Sequence, residues 1–201
     1  MRIGVFGGSF ESLLVCQLVA AEWCREQAAL DRVLFVPAAI QPHKRDRQLA
    51  AGHHRLEMLA LATGGNDAFA VHADEVERGG VSYTVDTLER LAARHPGDEL
   101  LLLLGPDVAA TLPTWRSPER IVAIVEPVFM ERLGVDAFTA PAFRSALEPL
   151  LGRERLDRLL AARRGRWNGI WPSTGSTTAL RPGDRPQQTS RTPVGRRAVV
   201  E

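Results

Sequence analysis

Arg2-Ile3-Gly4-Val5-Phe6-Gly7-Gly8-Ser9-Phe10 opens the chain. An apolar segment of strand type ends there in paired glycines, and a helical pattern follows over about 13 to 28. That order delivers backbone N–H groups, unobstructed by Cβ atoms, to the positively polarised start of a helix, an arrangement that cradles phosphate. The same residues also make a plain strand-to-helix turn. The rest of the chain has to separate the two.

Working outward, four more short apolar segments read as strands: Val33 to Val36, Phe69 to His72, Leu100 to Leu104 and Val128 to Met130. Helical patterns lie between them over 51 to 62 and 84 to 94, the latter with Val85, Leu88 and Leu91 on one face. Strands alternating with helices predict an α/β fold, a mostly parallel sheet wrapped on both faces. In such sheets a ligand sits beyond the carboxyl ends of the strands, where strand order reverses. Glu148 to Arg166 reads as a further helix, with Leu150, Leu151, Leu156, Leu159 and Leu160 as a candidate apolar face. Its dense mixed charge favours a solvated surface helix. From Pro182 the composition turns to Pro, Gly, Arg, Gln, Ser and Thr, which predicts one domain over 1–181 and a disordered tail over 182–201.

The chain has 201 residues, 45% of them hydrophobic and 24% charged, with a formal net charge of +1. Such a balance provides no global field for nucleic acid, so none is expected as a partner, and phosphate must be held by local groups. The longest aliphatic run, Leu100 to Leu104, is far short of the roughly 20 residues that span a bilayer. No membrane association and a cytoplasmic location are therefore expected. Cys16 and Cys24 fall on one helical pattern about 12 Å apart along the axis, too far to bridge, and read as free thiols of a reducing compartment.

Several motifs occur in order: Gly7-Gly8-Ser9-Phe10, Val36-Pro37-Ala38-Ala39-Ile40-Gln41-Pro42-His43-Lys44, Gly80-Val81-Ser82-Tyr83-Thr84-Val85-Asp86-Thr87-Leu88, Leu104-Gly105-Pro106-Asp107, Leu112-Pro113-Thr114-Trp115 and Ser176-Thr177-Thr178-Ala179-Leu180-Arg181. This series resembles the bacterial nicotinate-nucleotide adenylyltransferases, closely over about residues 1 to 134 and more distantly over 173 to 181. The resemblance implies a Rossmann-like nucleotidyltransferase fold with a short C-terminal helical part. It also implies transfer of AMP from MgATP to nicotinate mononucleotide, giving deamido-NAD and pyrophosphate in NAD biosynthesis. Such a reaction rests on positioning and charge stabilisation.

By the same resemblance, Gly7, Gly8, Ser9, Phe10, Ser176, Thr177 and Arg181 contact ATP. Lys44, Thr84, Asp107, Trp115 and Arg132 contact nicotinate mononucleotide, with Thr84 near the carboxylate and Trp115 stacked on the ring. From the residues alone, Trp115 also fits a half-buried packing role beside Pro113 and Pro118. Asp107 also fits a cap on the next short helix, and His43 a turn residue. Mg would arrive with ATP, held by phosphates and water, and no protein-held metal is expected: His53 and His54 point about 100° apart on a helix, and nothing completes a tetrahedron. A homo-oligomer is compatible with the sequence.

The chain departs from the family at the start of its first helix. The family's two histidines, or threonine and histidine, fall on Leu14 and Gln17, and the glycine before the second falls on Cys16. Leucine offers a phosphate no hydrogen bond, and glutamine only a neutral amide. Losing one preorganised donor costs about 2.7 to 4 kcal/mol of transition-state stabilisation. Leu13, Leu14 and Val15 read as a packed first turn of an ordinary buried helix with no phosphate role. Near the other end, Pro182 and Gly183 follow Arg181 at once and limit any helix there to about one turn. The two surviving expectations are an adenylyltransferase of impaired activity and a non-catalytic nucleotide-binding relative. A dinucleotide-dependent oxidoreductase is disfavoured, because the glycines lack the Gly-x-Gly-x-x-Gly spacing and the second strand ends without an acidic residue.

Overall fold

The computed structural model describes residues 1–11, 15–42, 50–130 and 141–162. Five parallel strands, β1 (Arg2–Gly8), β2 (Arg32–Pro37), β3 (Phe69–Val71), β4 (Glu99–Leu104) and β5 (Glu126–Phe129), form one sheet in the order β3-β2-β1-β4-β5. The helices are α1 (Val15–Gln27), α2 (Gly52–Thr63), α3 (Asp74–Arg78), α4 (Thr84–Arg94), α5 (Pro106–Ala109), α6 (Pro118–Ile124), α7 (Pro141–Leu151) and α8 (Arg153–Ala162), with a 3₁₀ turn over Leu112–Thr114. Chain order reverses at β1. Gly4 pairs with Val33 of β2 on one side and Leu101 of β4 on the other.

The strands read as nearly continuous apolar runs because both faces of the sheet are covered. Alternation along each strand sends Ile3, Val5, Leu34, Val36, Leu100, Leu102 and Leu104 to one face, where Val85, Leu88 and Leu91 of α4 and Ile121 of α6 meet them. Phe6, Val33, Phe35, Leu101 and Leu103 face the other way, toward Ala21 of α1 and Leu59 of α2. A Cβ on Gly4 would come within 2.7 Å of Leu30 Cδ1, so any larger residue there would push that leucine methyl aside. Phe35 is the hub of the second face, with ring centroids of Phe6 at 5.6 Å, Phe10 at 5.9 Å and Phe69 at 5.1 Å.

All five expected strands and the helices over 51 to 62 and 84 to 94 are present within a few residues. Two expectations fail. The segment from Glu148 is not one solvated helix: Gly152, at φ +74°, ends α7, and α8 sets off in a new direction. A left-handed residue is cheap only for glycine. The break turns Leu147, Leu151 and Leu156 into the first core, each at most 7% exposed. Nor does Val15 belong to a packed first turn, since it is 76% exposed. The inward stripe of α1 begins one turn later and runs through Leu18, Ala21 and Cys24, continuing to Ala28 beyond its end. Leu13 and Leu14 lie outside the described residues. Cys16 and Cys24 are both free thiols, and burial against the second core pushes the Cys24 thiol up to about 12.

Candidate functional site

The carboxyl end of β1 lies at the reversal of strand order, where a doubly wound sheet opens a crevice. Gly7 is exposed there, and a Cβ added to it would meet nothing within 4 Å. Gly8 is tighter: its Cβ would press on the Phe10 ring at 3.2 Å. Phe10 adopts φ +48° and is 3% exposed, its ring edge-on to Phe6 at 5.6 Å. A left-handed phenylalanine costs on the order of 1 kcal/mol or more and persists only where its surroundings impose it. Here the buried ring does so. The side chain belongs to the core, and only the backbone of Phe10 is available to the rim.

Beneath this loop lies Arg55 of α2, 2% exposed. Its Nη1 donates to the carbonyl oxygens of Ser9 at 2.8 Å and Ala38 at 2.6 Å, its Nη2 to that of Ala39 at 3.3 Å, and its Nε to that of Ala50 at 3.0 Å. One planar fork thus ties the loops after β1 and β2 to the start of α2. Burial lowers the pKa of Arg55 from its ordinary value, with Glu11 opposing. A guanidinium remains charged in proteins even so.

The loop after β2 is held from a second side. The Ala38 N–H donates to the Gly8 carbonyl at 2.8 Å, extending the β1–β2 ladder past the strands. The Ala39 N–H donates to Ser82 Oγ at 3.0 Å, and the Ser82 N–H to the Ile40 carbonyl at 2.9 Å, beside a parallel bridge between Ile40 and Val81. Under Ser82 sits Glu75 of α3, 6% exposed, whose Oε1 accepts from Thr87 Oγ1 at 2.5 Å. Burial raises the Glu75 pKa, while hydrogen bonds from Thr87 and Ser82 offset part of the rise. Ser82 therefore links a buried carboxyl to the strand-end loop.

Across the crevice, β4 ends in Gly105-Pro106-Asp107. Gly105 holds the N-cap position of α5 with no side-chain cap, which removes Asp107 as that helix's cap; its exposed carboxylate lies in the first turn. Thr84 is the first residue of α4, half-buried. Trp115 is half-buried against the first core, and its Nε1 donates to Thr111 Oγ1 at 3.0 Å. The packing role for Trp115 is thus met in part. Arg116, next in sequence, places its guanidinium 4.7 Å from the centroid of the Tyr83 ring and reaches Asp86 Oδ2 at 3.4 Å. These contacts bring the 115–116 turn beside the start of α4, whose first residue is Thr84.

The cytidylyltransferase-like family matches residues 5–181. Two relatives in particular are similar over most of this length. A Salinibacter ruber protein named probable nicotinate-nucleotide adenylyltransferase is 42% identical over 144 residues, 71% of this chain and 74% of that protein. The nicotinate-nucleotide adenylyltransferase of Bacillus subtilis is 36% identical over 133 residues, 66% of this chain and 70% of that protein. The chain belongs to the nicotinate-nucleotide adenylyltransferase family. Against a relative from Gemmatimonas aurantiaca the match spans 62% of that protein's length. The fold agrees with that of the Plasmodium falciparum nicotinic acid mononucleotide adenylyltransferase complexed with NaAD, at TM-score 0.59 and 17% identity over 72% of this chain and 70% of that one.

Of the positions that the family resemblance singles out, Gly7, Gly8, Ser9 and Phe10 line one rim of the crevice, and Thr84, Asp107 and Trp115 lie at the ends of α4, β4 and the 3₁₀ turn. Gln17 is half-buried in the first described turn of α1. Leu14, His43, Lys44, Arg132, Ser176, Thr177 and Arg181 lie outside the described residues. His53 and His54 are exposed, and their rings turn toward each other to a centroid separation of 4.0 Å, closer than the 100° helical offset suggests. Among the described residues no group of three His, Cys, Asp or Glu could hold a metal, and no helix is long and apolar enough to cross a membrane. Sequence reading missed Arg55 and Glu75. The available signal was spacing: Arg55, Leu59 and Thr63 recur every four residues, and all three are buried.

Proposed function

We propose that this protein binds MgATP and nicotinate mononucleotide across the carboxyl ends of β1, β2 and β4, and transfers AMP to the mononucleotide at a reduced rate. The observation that carries the reading is the open, Cβ-free rim at Gly7, beside strand-end loops whose Ser9, Ala38 and Ala39 carbonyls are drawn inward by Arg55. A phosphate can approach that backbone closely, and the identity to nicotinate-nucleotide adenylyltransferases supplies the chemistry.

In this reading the Gly7 to Phe10 backbone lies against the ATP phosphates, and Ser176, Thr177 and Arg181 hold the outer ones. Lys44 approaches phosphate, and Arg132 contacts the mononucleotide. Thr84 hydrogen-bonds near the nicotinate carboxylate, Trp115 stacks on the pyridine ring, and Asp107 faces the ligand from the end of β4. A mononucleotide phosphate oxygen attacks the α-phosphorus, a new P–O bond forms, and pyrophosphate leaves with the electron pair of the bond that breaks. Mg would come with ATP, neutralising phosphate charge. The protein would work in the cytoplasm on small nucleotides, with no nucleic-acid or membrane partner, and a homo-oligomer fits this role.

The reduction in rate follows from Leu14 and Gln17, which replace the two histidine positions facing transition-state charge. Each lost donor costs about a hundredfold to a thousandfold, so the limiting case is a nucleotide-binding relative with no turnover. The test is pyrophosphate release with MgATP and nicotinate mononucleotide, with deamido-NAD followed by chromatography. Slow formation of both products in equal amounts supports the enzyme. Binding of both nucleotides without product supports the non-catalytic relative, and binding of neither overturns both readings.

A further inference from the structure

We infer that Arg55 is the positioning residue of this site: it sets the phosphate-facing backbone of both strand-end loops through their carbonyl groups, without touching a ligand. The inference rests on the site assignment proposed above, but its mechanical part stands on geometry alone.

A single guanidinium receives carbonyls from three separate stretches of chain, Ser9, Ala38–Ala39 and Ala50, at 2.6 to 3.3 Å. All the described peptide bonds are trans. In a trans peptide the carbonyl and the following N–H point in opposite directions. Drawing the carbonyls of Ser9, Ala38 and Ala39 down onto Arg55 therefore turns the amides of Phe10, Ala39 and Ile40 away from it. The Ala39 amide, so directed, meets Ser82 Oγ. The Phe10 amide, in a residue already held at positive φ, is directed by the same device. Among the described residues no carboxylate is hydrogen-bonded to Arg55, so its charge is answered by carbonyl dipoles at contact and by Glu11 through space. Only arginine supplies this fork: lysine keeps the charge but is a point donor on a flexible stem.

The experiment compares the full-length protein with Arg55→Lys by amide hydrogen exchange, thermal melting and MgATP titration calorimetry. The inference predicts at least tenfold faster exchange of amides in 8–10 and 38–41, unchanged exchange over 100–104, and at least tenfold weaker MgATP binding. An arginine that only adds to global stability would lower the melting temperature and raise exchange across the sheet alike, and that result overturns the inference. So does loop exchange equal to that of the parent protein. Should Arg55→Lys not fold, exchange in the parent decides. Ala38 and Ala39 amides protected as strongly as those of Val33 to Val36 uphold the clamp, and exchange at exposed-loop rates overturns it. A parent that binds no MgATP refutes the site assignment, and the exchange comparison then decides the role of Arg55 on its own.

Discussion

At the ends of β1 and β2 the backbone is fixed from beneath, by Arg55 on one side and by Ser82 over Glu75 on the other. At the end of β4 and the start of α4, side chains stand nearer the surface instead, with Asp107 exposed and Thr84 and Trp115 half-buried. The difference matches two kinds of recognition. Phosphate held by main-chain N–H groups needs amides that are already aimed, because reorganising them during the reaction would forfeit the gain. A flat ring and its substituent are read by side chains, which tolerate looser support. In the proposed reading, one wall is an electrostatic scaffold and the other a contact surface.

The sharpest way to break this contrast is Arg55→Met. It leaves the buried Ala38 carbonyl and the part-buried carbonyls of Ser9, Ala39 and Ala50 without their donor and is expected to cost about 3 kcal/mol or more of unfolding free energy, measured by urea titration. A cost below about 1 kcal/mol would mean that the loops hold themselves. Gly7→Ala separates stability from binding. Its Cβ meets nothing in the protein, so stability should hold or rise by a few tenths of a kcal/mol, while MgATP affinity falls about tenfold or more because the methyl group occupies the approach to the backbone. Unchanged affinity would move the phosphate away from β1.

On the opposite wall, Trp115→Ala should weaken nicotinate mononucleotide by up to about tenfold, the scale of one aromatic contact, and leave MgATP binding nearly unchanged. Equal loss for both ligands would erase the division between walls. The smallest expected effect is at Glu75→Gln. Burial raises the carboxyl's folded-state pKa, so its contribution to stability is full below the unfolded value near 4.5 and is lost as pH rises through the folded value. The glutamine variant, which does not ionise, should lose that component of the pH dependence above about 4.5. Identical pH profiles for parent and variant would show that Glu75 titrates as in the unfolded chain.

The sheet was legible because its strands are apolar runs separated by helical periodicity, and a strand buried on both faces leaves that signature in any register. The paired glycines at Gly7 and Gly8 marked the end of β1 in the sequence, but they serve a plain strand-to-helix turn equally well, and only the family resemblance singled them out as a phosphate rim. Arg55 was hidden because a charged residue in a helix of ordinary composition reads as solvated, and only the carbonyls of distant loops explain its burial. The segment after Glu148 misled for the opposite reason. Its charges dominated the pattern, and the left-handed turn at Gly152 that brings Leu156 inward is a backbone event with no periodic trace. Phe10 combined both difficulties, with its backbone on the rim and its ring in the core.

The central claim is that the substrate-holding walls are intact and the rate is limited by the side chains at the start of α1. Pyrophosphate release from MgATP and nicotinate mononucleotide by the parent chain and by a Leu14→His, Cys16→Gly, Gln17→His variant tests it most directly. The account predicts slow or undetectable turnover in the parent and at least a hundredfold gain in the variant, with nicotinate mononucleotide affinity unchanged. Parent turnover equal to that of the variant would contradict it, and would mean that other groups carry the transition-state charge.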